Sequence, residues 1–285
     1  MFLTRFITAA VALVIFIPTL FFSNTFAFDA VMTFGSVVGT IELLRCVKVA
    51  DKYIISVPSV IVSGLVPMLI RYCIDKKIIG AVALIVVAYL FYLLYAAMFT
   101  RKQTSTNDIA LCFFATIYVT ISFASILAAR TLEYGEILYL MIFIGAWSTD
   151  TFAYLTGRLI GRHKLPLKIR DVSPNKTIEG AIGGIVFCSA SFIVYGFIIS
   201  ALNRFNAVPN YVLLALTGIV TSVIAQLGDL SASAIKRNYD VKDFGSIFPG
   251  HGGILDRVDS VLAVAPVILI IGAAFIKVNA YGLFT

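Results

Sequence analysis

A polytopic α-helical membrane bundle is the fold the sequence predicts, and three observations lead to it. Hydrophobic residues make up 60% of the 285-residue chain and charged residues 13%, whereas a soluble domain is about 45–50% apolar and 25% charged. Apolar runs near 20 residues recur along the whole length, each long enough to cross a hydrocarbon core about 30 Å thick. No stretch of useful size is left over for a soluble domain. Residues 1–285 therefore read as a single membrane domain. Within it, 1–130 are N-terminal helices suited to packing and dimerisation, and 131–285 carry the polar chemistry.

Nine spans are predicted, at 7–27, 29–47, 53–71, 77–99, 108–129, 135–156, 177–202, 211–236 and 258–279. Arg5, the apolar run from Ile7 to Phe22 and the following SNTFAFDA resemble a secretory signal peptide. Small residues do not occupy both cleavage positions well and the next span follows at once, so a retained first helix is expected. The next four spans are poor in polar residues, and their connectors (Asp51-Lys52, Asp75-Lys76-Lys77, Arg101 to Asn107) read as ordinary loops. Glu42, inside the second span, is the exception. An acid there is costly unless it meets a partner or a wet cavity, and Arg45, three residues on, is the expected partner.

Polarity returns in the sixth span with Trp147-Ser148-Thr149-Asp150-Thr151, followed by a loop of Lys, Arg and His163. That loop reads either as a solvated segment touching anionic headgroups or as one wall of a site for an anionic substrate. Ser173-Pro174-Asn175-Lys176-Thr177-Ile178-Glu179-Gly180 looks like a helix start. Helix N-termini favour phosphate, which makes Lys176 and Thr177 candidate contacts. Gly35/Gly39, Gly157/Gly161 and Gly180/Gly184 have GxxxG spacing, which argues for close helix packing within the chain or between copies.

Charge distribution orients the bundle. With nine spans, 16 of the 22 Lys and Arg residues fall on the side of the N-terminus and the two long polar loops, so that side should face the cytoplasm across the cell's inner membrane. The net charge of +7 records this bias; no RNA- or DNA-binding pattern accompanies it, and no nucleic-acid partner is expected. Cys46, Cys73, Cys112 and Cys188 stand singly, with no CxxC or Cys/His spacing. They read as buried small hydrophobes rather than zinc ligands or disulfides.

The densest polar stretch runs from Gly228 to Ser260. Asp229, Ser233 and Lys236, four and three residues apart, share one helix face over about 10 Å of rise. A loop follows, with Arg237, Lys242-Asp243 and Pro249-Gly250-His251-Gly252-Gly253, whose glycines let a ligand approach the main chain. The last span opens with Asp256-Arg257-Val258-Asp259, which sets Asp256 and Asp259 on a common face. Carboxylates from two helices gathered at one membrane boundary repel unless a cation lies between them. Hard oxygen ligands without thiols suit Mg²⁺, and the flanking bases suit phosphates. Phosphoryl or nucleotidyl transfer at the membrane surface is the leading reading. An ion-coupled transporter, with intramembrane acids that bind cations, is the alternative from another class.

The pattern Ser233-x-x-Lys236-Arg237-x₄-Lys242-Asp243-x₅-Pro249-x-His251-Gly252-Gly253-x-x-Asp256-Arg257-x-Asp259 resembles the signature of the phosphatidate cytidylyltransferase (CDP-diacylglycerol synthase) family. The upstream stretches around Asp150, Gly157-Arg158, Gly161 to Lys164 and Ser173 to Gly180 resemble it too. Motif-level similarity covers residues 145–260. The resemblance implies a bacterial-type integral enzyme that makes CDP-diacylglycerol and pyrophosphate from CTP and phosphatidic acid. It also implies a Mg²⁺ requirement, with room for a second cation, and a homodimer. Asp229 and Asp256 would take the metal-centre role, with Asp259 as ligand or neighbour. Lys236, Arg237, Lys242 and Arg257 would contact phosphates; Ser233, Asp243, His251, Gly252, Gly253, Lys176, Thr177 and Asp150 would line the substrate site. The nearest enzymatic rival is a CTP-dependent lipid kinase of the polyprenol or phytol type, which transfers the γ-phosphoryl group instead.

Overall fold

The computed structural model describes residues 16–100, 103–202, 208–248, 250, 252–275 and 283–284. Residues 7–15 of the first predicted span, 7–27, lie outside them; its described part is helical over 16–21 and turns at 22–25 before the next helix. The other eight spans are all present as helices long and apolar enough to cross a membrane. They are α1 (Phe26–Cys46), α2 (Tyr53–Asp75), α3 (Gly80–Phe99), α4 (Thr106–Thr131), α5 (Gly135–Ile160), α7 (Ile178–Leu202), α8 (Tyr211–Asn238) and α9 (Leu255–Phe275); a four-residue helix, α6 (Leu167–Arg170), lies in the loop before α7. No named strand occurs among the described residues, only isolated bridges such as Lys164 to Thr177.

Two compact units divide the chain. The first comprises the described residues up to Ala128 together with Asn238–Val258; the second comprises Ala129–Arg237 and the described residues from Asp259 onward. In the first unit α2 packs on both α1 and α3. A buried polar web ties α2, α3 and α4: Ser59 Oγ pairs with Tyr89 OH at 2.7 Å, and Tyr89 OH with Thr116 Oγ1 at 2.9 Å. Cys112 Sγ lies 2.9 Å from the same Ser59 hydroxyl, and all four cysteines are buried and free. Pro58, inside α2, cannot donate to the carbonyl of Ile54. Tyr92 OH supplies the missing donor at 2.9 Å, which lets a proline persist in a membrane helix. The loops are not passive. Lys52 pairs with Asp108 at the start of α4, and Arg71 of α2 pairs with Asp29 of α1. On α3 only Tyr89, Leu93 and Ala96 are buried, a stripe at helical spacing that leaves the rest of its apolar surface outward, where lipid is the natural solvent.

In the second unit α5 packs along α7. The two GxxxG pairs predicted there meet at this crossing. A Cβ built on Gly180 would stand 2.7 Å from the carbonyl oxygen of Ala153 and 3.2 Å from Gly157 Cα, so backbone touches backbone and no side chain fits. The third pair, Gly35/Gly39, accepts Phe123 and Val119 of α4 in the first unit. Small residues are thus spent on packing within the chain.

Gly180→Ala should lower the free energy of unfolding in detergent by about 1–3 kcal/mol, since the obstructing atoms are main chain and cannot rotate away; an unchanged unfolding midpoint would mean the crossing is looser than this.

Candidate functional site

Helix α7 starts where its sequence says it should. Thr177 Oγ1 accepts the N–H of Gly180 at 3.1 Å, an N-cap that satisfies one of the helix's free donors. Glu179, in the first turn, accepts the N–H of His163 and lies 2.6 Å from His163 Nδ1. The basic loop is thereby tied to the start of α7. This tie delivers Lys176 to a fixed place. Its ammonium nitrogen, closed off from solvent, lies 2.7 Å from Asp229 Oδ2 on α8.

Asp229 owes its position to Gly228. A Cβ there would meet Ala263 at 2.4 Å and the Asp259 carbonyl oxygen at 3.2 Å, so α8 can press onto this part of α9 only because Gly228 has no side chain. Asp150, exposed on α5, completes the group: its carboxyl lies beside the Ser260 hydroxyl and within the fields of Asp229, Asp259 and Lys176. An accessible acid ten residues before the end of a 26-residue spanning helix belongs in a wet recess rather than against lipid. Ser233 and Lys236 follow Asp229 along the same face of α8, half-buried, and Arg237 stands exposed at its end. The second unit therefore brings together Lys176, Asp229, Asp150 and Asp259, and adds Ser260, which nothing in the sequence had singled out.

In the first unit the loop after α8 is stitched to the start of α9. Asp256 Oδ2 accepts the N–H of Phe244 at 2.8 Å and of Gly253 at 2.9 Å. Gly252 has φ +81°, and a Cβ on it would fall 2.7 Å from the same oxygen, so only glycine serves there. Lys242, Asp243 and Arg257 stand exposed on this segment. His251 and Pro249 lie outside the described residues. Glu42 departs from expectation. Its carboxylate accepts the N–H of Ile254 at 3.0 Å and of Leu255 at 2.9 Å, whereas Arg45 points outward. The sequence signal was the burial demanded of an acid within a span; its partner was invisible because it is main chain, 212 and 213 residues away.

Does this chemistry fit a divalent cation? Among the described residues no three His, Cys, Asp or Glu side chains form a ready-made cage. Mg²⁺ does not ask for one: it is typically held by one or two carboxylates and fills its octahedron with water and substrate phosphate. Around Lys176 gather the carboxylates of Asp229, Asp150 and Asp259, hard oxygen donors of the kind such an ion takes. The donor set fits.

The chain matches the cytidylyltransferase family model over residues 3–275. It is 37% identical over 269 residues to the phosphatidate cytidylyltransferase of Staphylococcus haemolyticus, with 94% of this chain and 97% of that protein covered. The enzymes of the same name from Staphylococcus aureus (strain COL) and Staphylococcus epidermidis are 35% and 36% identical over 276 and 274 residues, at the same coverage of both chains. With a match that runs through every described helix, the chain belongs to the cytidylyltransferase family.

Proposed function

We propose that this protein transfers the cytidylyl group of CTP to phosphatidic acid, releasing pyrophosphate and leaving CDP-diacylglycerol in the bilayer. The reaction takes place at the cytoplasmic face of the cell's inner membrane, requires Mg²⁺ and is carried out by a homodimer. The substrates come from the named activity of the relatives. The observation that carries the chemistry is the group formed by Lys176, Asp229, Asp150 and Asp259 in the second unit. The cytoplasmic orientation rests on the distribution of Lys and Arg, and the dimer on the family resemblance.

The lipid phosphate needs little activation. The second pKa of a phosphate monoester is about 6, so at neutral pH it is already largely a dianion and no general base is required. One of its oxygens attacks the α-phosphorus of CTP in line. A new P–O bond forms as the bond to the bridging oxygen of the β-phosphate breaks, and pyrophosphate departs with that electron pair. Residues of this chain then have two duties, to position two anions that repel one another and to neutralise charge. Lys176, Lys236, Arg237, Lys242 and Arg257 serve as phosphate contacts, and Ser233 contacts substrate or an ordered water. His251, Gly252, Gly253 and Asp243 contribute the loop that receives the nucleotide. Asp229 and Asp256 would hold Mg²⁺ on the family pattern. When bound, the ion supplies neutralisation of phosphate charge that lysines alone do not match. Asp150 and Asp259 strengthen the negative field around Asp229, and Asp150 faces Ser260.

Purified protein in detergent, given labelled CTP, phosphatidic acid and Mg²⁺, should yield a CDP-lipid and pyrophosphate in equal amounts. A phosphorylated lipid with free CDP would identify a kinase instead, and solute uptake without CTP consumption a transporter. Asp229→Asn and Asp256→Asn should each reduce turnover by about 10²-fold or more while the protein still folds; wild-type rates in either would remove that residue from the site. Asp150→Asn should slow turnover by about tenfold through the weakened field, and an unchanged rate would make Asp150 a packing residue.

A further inference from the structure

Helix α9 has an N-terminus that its own sequence does not cap. The residue before Leu255 is Ile254, which has no acceptor on its side chain, and the first N–H groups of a helix have no partner within it. Glu42, from α1 near the other end of the sequence, fills this role. Its two carboxylate oxygens each take one donor, Oε1 from Ile254 and Oε2 from Leu255. The side chain is 2% exposed. A charge so buried needs compensation, and here it receives two hydrogen bonds and the positive end of a helix dipole.

A second observation points the same way. Cβ atoms built on Gly245 and Gly253 would each lie 2.3 Å from Glu42 Oε1. Two glycines of the loop before α9 thus close over one carboxylate, and neither is at a positive φ. They are glycine because the acid occupies the space where a side chain would stand. Asp256 then binds the far side of the same loop through Phe244 and Gly253. Glu42 and Asp256 hold Gly253 between them.

We infer that Glu42 is a positioning residue of the transfer reaction. It acts through main chain, fixing the loop from Phe244 to Gly253 and the first turn of α9, and with them the direction of Lys242, Asp243, Asp256 and Arg257. It touches neither reactant. This inference rests on the reading of those motif residues as substrate and metal contacts. A displacement of about 1 Å in such groups can cost about 10²-fold in rate, so a loosened loop should be felt in turnover before it is felt in stability.

The test uses the full-length protein in detergent with CTP, phosphatidic acid and Mg²⁺. In Glu42→Gln, which keeps size but turns one acceptor into a donor, kcat should fall by about 10–100-fold with both KM values within about threefold. Glu42→Asp, which keeps both oxygens, should recover part of the loss. Hydrogen exchange followed by mass spectrometry should show faster exchange over residues 244–257 in Glu42→Gln, with α2 and α3 unchanged. Gly245→Ala should slow turnover in the wild-type background and add little in Glu42→Ala, where the space is vacant. A kcat per folded molecule equal to wild type, or undisturbed exchange over 244–257, would overturn the inference. If wild type itself forms no CDP-lipid, the functional reading fails, and the exchange measurement still decides whether Glu42 pins the loop.

Discussion

An acid or base on a membrane-spanning helix must be matched before it can be buried, because the surrounding lipid supplies neither water nor counter-ion. That constraint shapes this protein more than any apolar contact. Arg71 finds Asp29, Lys52 finds Asp108, and Arg130 finds Glu136 at 2.8 Å. Each of these pairs joins neighbouring parts of one unit. Glu42 is matched differently, by main-chain donors and a helix dipole, and the match shapes the loop before α9.

The same rule explains the functional group in the second unit. Lys176 pairs with Asp229, and the charges of Asp229, Asp259 and Lys176 all act on Asp150. Like charges about 4 Å apart repel by about 4 kcal/mol at an effective dielectric near 20.

Much of this was legible in the sequence. Eight spans follow directly from runs of apolar residues, and the GxxxG spacings announced close helix packing without saying which helices would meet. The start of α7 was readable because Thr177 and Glu179 are local signals, acting on donors within three residues or on a nearby loop. Helix ends that carry chemistry were blurred: α9 begins at Leu255 and α5 runs on to Ile160, because polar motif residues hide a helix from a hydropathy window. Glu42 was noticed but given the wrong partner. Proximity in sequence favoured Arg45, while the real donors belong to a loop more than 200 residues away. Ser260 gave no signal at all, since one serine in an apolar helix is ordinary.

The central proposal is that Asp229, paired with Lys176 and grouped with Asp150 and Asp259, takes a divalent cation. Titration of the purified, substrate-free protein with Mn²⁺, read from the loss of the free-ion EPR signal, tests it most directly. Wild type should bind the ion saturably, Asp229→Asn about tenfold or more weakly, and Lys176→Met more tightly because a competing positive charge is gone. Equal affinity in all three proteins would contradict the account.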